Sequence, residues 1–120
     1  MVRLPLTFTI SLSPVSLNQF FGRASWHTRR KLQHTFKVAV LRGLSQAGIE
    51  REILPPKVGI TIVGRYTGRV LDHDNIAAKL IIDPLKGYLL ADDSPEYIAW
   101  IKLSGYKSDQ PGTEITLEQA

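Results

Sequence analysis

Residues 58–64 read Val58-Gly59-Ile60-Thr61-Ile62-Val63-Gly64. Val58, Ile60, Ile62 and Gly64 alternate with Gly59, Thr61 and Val63. β-Branched side chains dominate, so the backbone is extended. Apolar residues stand on both sides of the alternation, which marks a largely buried strand. A strand of this kind needs partners beside it and a layer packed on it.

Upstream, Pro55-Pro56 breaks the chain before the strand. Ahead of that break, from about Thr28 to Ala47, the period changes to that of a helix. Leu32, Phe36, Val40 and Leu44 recur every four residues and form one buried stripe. Gly48 suits the C-terminal cap. Further back, Leu6, Phe8, Ile10 and Leu12 alternate with Thr7, Thr9, Ser11 and Ser13, a strand over 6–13. Pro14 ends it, because proline cannot donate to a ladder.

Downstream, Thr67-Gly68 turns the chain into Arg69-Val70-Leu71-Asp72. A second helix is predicted over about 74–82, with a break at Asp83 imposed by Pro84. Tyr97, Ala99 and Ile101 alternate with Ile98, Trp100 and Lys102, a third strand. Ser104 to Thr113 reads as a polar turn region, and Glu114 to Leu117 as a short edge strand. The fold class is therefore α/β (α+β), one domain over residues 1–120. It is a small mixed sheet of three to four strands with two main helices, in the order β-α-β-α-β(-β). The connections are too short and irregular for a doubly wound parallel sheet.

The absence of cysteine excludes a disulfide framework and a thiolate zinc site, and fits a reducing compartment. No apolar run approaches the ~18 residues of a membrane span. The alternating start argues against an export signal, which would be an unbroken apolar stretch. Net charge is +4 and the sequence pI is about 9.6. That balance favours a polyanionic partner through phosphate neutralisation.

Against this basic background, Asp72, Asp74, Asp83, Asp92 and Asp93 fall close together. Asp72 and Asp74 stand two apart in Leu71-Asp72-His73-Asp74-Asn75, so in an extended segment both carboxylates face one side. Asp92-Asp93 precedes the third strand. If that strand lies beside the second, the two acidic groups can meet. Hard cations suit such a cluster: Mg²⁺ takes one or two carboxylates, waters and a substrate phosphate. A plainer reading also fits. Asp72 or Asp74 can cap a helix, and Asp92-Asp93-Ser94-Pro95 can be a simple turn.

The segment resembles the RusA-type Holliday-junction resolvases. Their signature is an acidic DxDN, a lysine shortly after it on a helix, then an acidic pair before a strand. Ser13-Pro14-Val15-Ser16-Leu17-Asn18 resembles the family's Pro-x-Ser-x-Asn element after the first strand. The resemblance implies that Asp72, Asp74 and Asp93, joined by Asp92, bind Mg²⁺, with Mn²⁺ able to substitute. It implies a homodimer that resolves four-way junctions and other branched DNA by paired symmetric nicks, in recombination and repair. It implies no membrane association, and a cytoplasmic, bacterial protein of phage or prophage origin. The family lysine sits four residues after the second Asp. Here Ala78 holds that place and Lys79 follows. Lys79 is the candidate catalytic lysine, and with Asp83 it equally suits an exposed i, i+4 pair.

Asn18, Arg23, Arg29, Arg30, Lys31, Arg65, Arg69 and Lys86 are candidate DNA contacts. A solvated surface role suits each of them as well. Phe20, Phe21 and Trp26 can stack on exposed bases or pack on the sheet. His73 reads as a surface residue. Two alternatives stand beside the endonuclease. One is a non-catalytic branched-DNA-binding protein on the same scaffold, against which clustered carboxylates argue by repelling phosphate. The other is a DxD phosphotransferase, for which the chain is too short and Asp72 lies too late.

Overall fold

The structure, a computed structural model, describes residues 2–22 and 25–120. Four strands and one long helix make up most of it: β1 (Leu6–Ile10), α1 (Trp26–Gln46), β2 (Val58–Tyr66), α2 (Lys79–Ile82), β3 (Ile98–Lys107) and β4 (Gly112–Gln119). Short 3₁₀ turns cover His73–Asn75 and Asp83–Leu85, and a π-helical turn covers Asn18–Gly22. Among the described residues, no helix is long and apolar enough to cross a membrane.

The sheet order is β1-β4-β2-β3. β4 runs antiparallel to β1 and to β2, and β2 runs parallel to β3. One sheet face is closed: Leu6, Phe8, Ile10, Val58, Ile60, Ile62, Ile115 and Leu117 are buried. The other face meets solvent, where Thr7, Thr9 and Glu114 are exposed. Phe36, Val40 and Leu44 of α1 pack into the same core. Each such side chain contributes roughly 1.5–3 kcal/mol of burial.

Local signals set the limits of α1. The Ser25 hydroxyl accepts from the Thr28 amide at its start. At its end, Gly48 adopts a φ of 72°. There the Ile49 amide donates to the Leu44 carbonyl and the Gly48 amide to the Ser45 carbonyl. That pair of bonds is a Schellman cap. Gly43 lets α1 lie directly on β1, since a Cβ there would stand 2.5 Å from the Thr9 carbonyl oxygen.

Three expectations need correction. The first strand stops at Ile10, short of Ser13, as the chain lifts away toward Pro14. The single helix over 74–82 is two short pieces, a 3₁₀ turn and a four-residue α2. Ile76 between them is extended, with φ −80° and ψ 128°, because it bridges to Ser16. A tertiary contact overrides helix propensity here. The third correction concerns the C-terminal strands. β3 continues through Ser104, Gly105 and Tyr106 to Lys107, and β4 spans 112–119 in the interior of the sheet. The break at Asp83 is present: α2 ends at Ile82 and a 3₁₀ turn carries Pro84.

Candidate metal-binding and nucleic-acid site

The segment Ser13–Asn18 crosses the C-terminal end of β2. The Ser13 hydroxyl donates to the Arg65 carbonyl. Pro14 settles over Gly64, where a Cβ would meet Pro14 Cδ at 2.8 Å and Tyr66 Oη at 2.7 Å. Gly105, the partner of Gly64 in register, gives the Tyr66 ring the same clearance. Two glycines side by side therefore leave room for a tyrosine and a proline on the sheet. Tyr66 is buried there, and burial raises its pKa above the ordinary 10.0.

On this platform the two motif segments meet. Ser16 and Ile76 form an antiparallel bridge, and the Ala77 amide donates to the Val15 carbonyl at 2.9 Å. The bridge holds the 3₁₀ turn of His73–Asn75, whose Asn75 amide donates to the Asp72 carbonyl at 2.9 Å. Asp72, His73 and Asp74 are exposed and Asn75 is half-buried. Asp72 stands at the N-cap position but makes no side-chain capping bond. Capping is thus not what these carboxylates do in this fold. Ile76 is followed by a tight turn, in which the Ala78 amide donates to the Ile76 carbonyl at 2.9 Å.

Asp93 belongs to a different constellation. Lys86 Nζ lies 3.4 Å from Asp93 Oδ2 and 3.3 Å from Asp83 Oδ1. Lys79 Nζ lies 3.1 Å from Asp83 Oδ2, the expected i, i+4 pair. The result is a chain of alternating charge, Lys79–Asp83–Lys86–Asp93. Partial desolvation opposes ionisation of Asp93, but the Lys86 ammonium outweighs it and lowers the Asp93 pKa. The Asp83 carboxylate in turn raises that of Lys86. Asp92, a neighbour of Asp93, is exposed.

β3 does lie beside β2. The pair is parallel, however, with Val58 opposite Ile98 and Tyr66 opposite Lys107. β2 thus ends at the far end of β3 from Asp93, while the His73–Asn75 turn that follows it packs against β3. Among the described residues, no three His, Cys, Asp or Glu side chains are grouped to hold a metal ion. Mg²⁺ needs only one or two carboxylates when water and phosphate complete its shell. Asp72 and Asp74 are exposed, but they stand at and within a 3₁₀ turn, not in the extended backbone that would put residues two apart on one side. Asp93, held by Lys86, does not join them in this arrangement.

The candidate DNA contacts divide by environment. Asn18, Arg30, Lys31, Arg69 and Lys86 are exposed. Arg30 stacks on Trp26, its guanidinium carbon 4.8 Å from the ring centre. Arg29 is half-buried. Arg65 is also half-buried, its guanidinium laid over Gly112 and its Nε buried. That placement suits packing on the sheet better than reaching a phosphate. Arg23 lies outside the described residues. Phe20 is core, whereas Phe21 and Trp26 are more than half exposed. Sequence reasoning paired Asp83 with Lys79; what it missed is that Asp83 also binds Lys86. Its spacing to Lys79 and Lys86 (i, i+4 and i, i+3) was a readable signal.

No family model matches the chain, and no curated protein matches it significantly. The functional reading rests on the residues and on their placement.

Proposed function

We propose that this chain is a Mg²⁺-dependent, structure-selective endodeoxyribonuclease acting on four-way junctions and other branched DNA. The observation that carries the reading is the bridge between residues 15–16 and 76–77. It joins the two segments by which the chain resembles the RusA-type resolvases, with Asp72 and Asp74 exposed beside the joint. Asp72 and Asp74 would hold the metal, and Asp93 and Asp92 would complete the acidic set only where Lys86 gives up Asp93. Bound there, Mg²⁺ or Mn²⁺ supplies Lewis acidity toward a phosphoryl oxygen and acidifies a coordinated water. Asp72 and Asp74 fix position and keep phosphate away unless a cation is bound. Lys79, at the first position of α2, is the residue to steady charge on the scissile phosphate. A two-fold homodimer would present two equivalent sites to a roughly two-fold junction.

A second reading has its own observation. Lys86 occupies Asp93 and Asp83 occupies Lys79, which suits a scaffold that binds branched DNA without cutting it. One assay separates the two: a synthetic four-way junction and a linear duplex, each with Mg²⁺ and with EDTA. The endonuclease nicks the junction in Mg²⁺ alone. Tight junction binding with no nicking in Mg²⁺ or Mn²⁺ selects the binding protein.

A further inference from the structure

The charges of this chain are segregated. Residues 1–49 hold seven of the fifteen Lys and Arg residues and none of the eleven Asp and Glu residues. Most of that excess sits on α1. With 3.6 residues per turn, Lys31 and Arg42 lie on one line of the side opposite Phe36, Val40 and Leu44, while Arg30 and Lys37 flank it, Lys37 toward α2; all four are exposed. Lys31, Lys37 and Arg42 form no ion pair, hydrogen bond or ring contact among the described residues. Unneutralised cations along one helix repel each other unless an anionic partner lies against them.

We propose that the outward face of α1 is the surface that holds the phosphate backbone of a duplex arm. The inference rests on the reading of the partner as branched DNA, but not on hydrolysis. From Lys31 to Arg42 the helix rises about 16 Å, which matches four to five phosphates along one strand at ~3.4 Å each. The face is continuous with the acidic region. A groove of about 300 Å³ between α1 and α2 is lined by Gln33 and Lys37 on one side and by Asp83 and Lys86 on the other. Backbone bound along α1 is thereby led toward the Lys86–Asp93 pair. A lipid surface fits poorly, because α1 spends its apolar side on the core and only Val38 and the terminal Trp26 stand exposed on it, too little apolar area for insertion.

The test is the salt dependence of junction binding in EDTA, where no turnover occurs. Each of Lys31→Gln, Lys37→Gln and Arg42→Gln removes one phosphate contact while keeping a good helix former. Each should make the slope of log Kobs against log salt shallower by about 0.9, and the triple variant by about 2–3. A control triple with the same charge loss, Lys57→Gln, Lys102→Gln and Lys107→Gln, should change it by less than about 1. Unchanged slopes in the α1 singles, or an equal loss in the control, overturns the proposal. So does binding of wild-type protein to anionic phospholipid vesicles or polyaspartate with no measurable binding to the junction. If cleavage in Mg²⁺ fails while the slope change stands, only the hydrolytic reading falls. If cleavage stands and the slopes do not move, only this inference falls.

Discussion

The Ala77 amide donates to the Val15 carbonyl, and this one bond fixes how Asp74 is presented. It forces Ile76 out of helical geometry, so the turn that carries Asp72 and Asp74 stands apart from α2. A continuous helix would have wound these carboxylates against its own N-terminal amides. The bridge leaves them free to take an outside cation.

Asp74→Asn tests that role most directly. The change removes a metal-binding charge and a repulsion against phosphate while keeping the shape. Mg²⁺-dependent nicking of a four-way junction should be lost, and gel-shift affinity for the junction should hold or rise. Near-normal nicking by the variant refutes the assignment.

Lys79 is the proposed charge stabiliser, although its ammonium rests on Asp83. Lys79→Ala should slow single-turnover cleavage by roughly 10²-fold or more if it acts on the transition state. Saturating enzyme removes any binding defect from that measurement. A rate equal to wild type confines Lys79 to its exposed ion pair, whose loss changes stability by at most about 1 kcal/mol.

Gly43→Ala should destabilise the fold even though alanine favours helix by about 1 kcal/mol. The new methyl would meet the Thr9 carbonyl at 2.5 Å, Ile10 Cγ2 at 3.2 Å and Phe8 Cδ2 at 3.3 Å. Overpacking of this sort costs about 1–3 kcal/mol. The urea midpoint reports it, and an unchanged or higher midpoint means that α1 can move off β1 freely.

Tyr66 gives a signature at alkaline pH. Burial raises its folded pKa above 10.0, so the unfolded chain loses this proton first. Stability should fall as pH rises from about 10 toward the folded pKa. Lys86, also raised, acts in the same direction, so the wild-type slope alone does not isolate Tyr66. Tyr66→Phe does. It removes a buried hydroxyl that has no protein partner, so it should be neutral or stabilising at pH 8. It should also flatten the decline above pH 10. Chemical denaturation at both values measures this, and an identical alkaline slope in the variant excludes Tyr66 as its source.

Periodicity made β1 and α1 legible because each buries a single face or stripe, Phe8 and Ile10, Phe36 and Val40, and β2 was legible as a β-branched run with no exposed position, Ile60 and Ile62 at its centre. It misplaced the C-terminal strands for a related reason. One face of the sheet meets solvent, so β4 alternates Ile115 and Leu117 with Glu114 and Thr116 although it lies inside. Alternation marks an open face, which a central strand can have as readily as an edge strand. β3 is an edge strand, as β1 is, and its Ser104-Gly105-Tyr106 run looked like a turn because edges tolerate polar residues and glycine. At the candidate site, the spacing in Asp72-His73-Asp74-Asn75 announced a pair of free carboxylates. It did not announce which cation answers Asp93, since Lys86 reaches it through folding of the 83–93 segment, not through sequence spacing.

The interior position of β4 also bears on how the protein is made. Synthesis is vectorial, and β4 is the last of the four strands to emerge from the ribosome. β1 pairs with no other strand, so Leu6–Ile10 waits without a ladder while the remaining elements are being made. Strand pairings so distant in sequence form slowly, and an unpaired apolar strand is what chaperones recognise in nascent chains. Only the parallel β2–β3 pair can assemble earlier, so the sheet closes when β4 enters between β1 and β2.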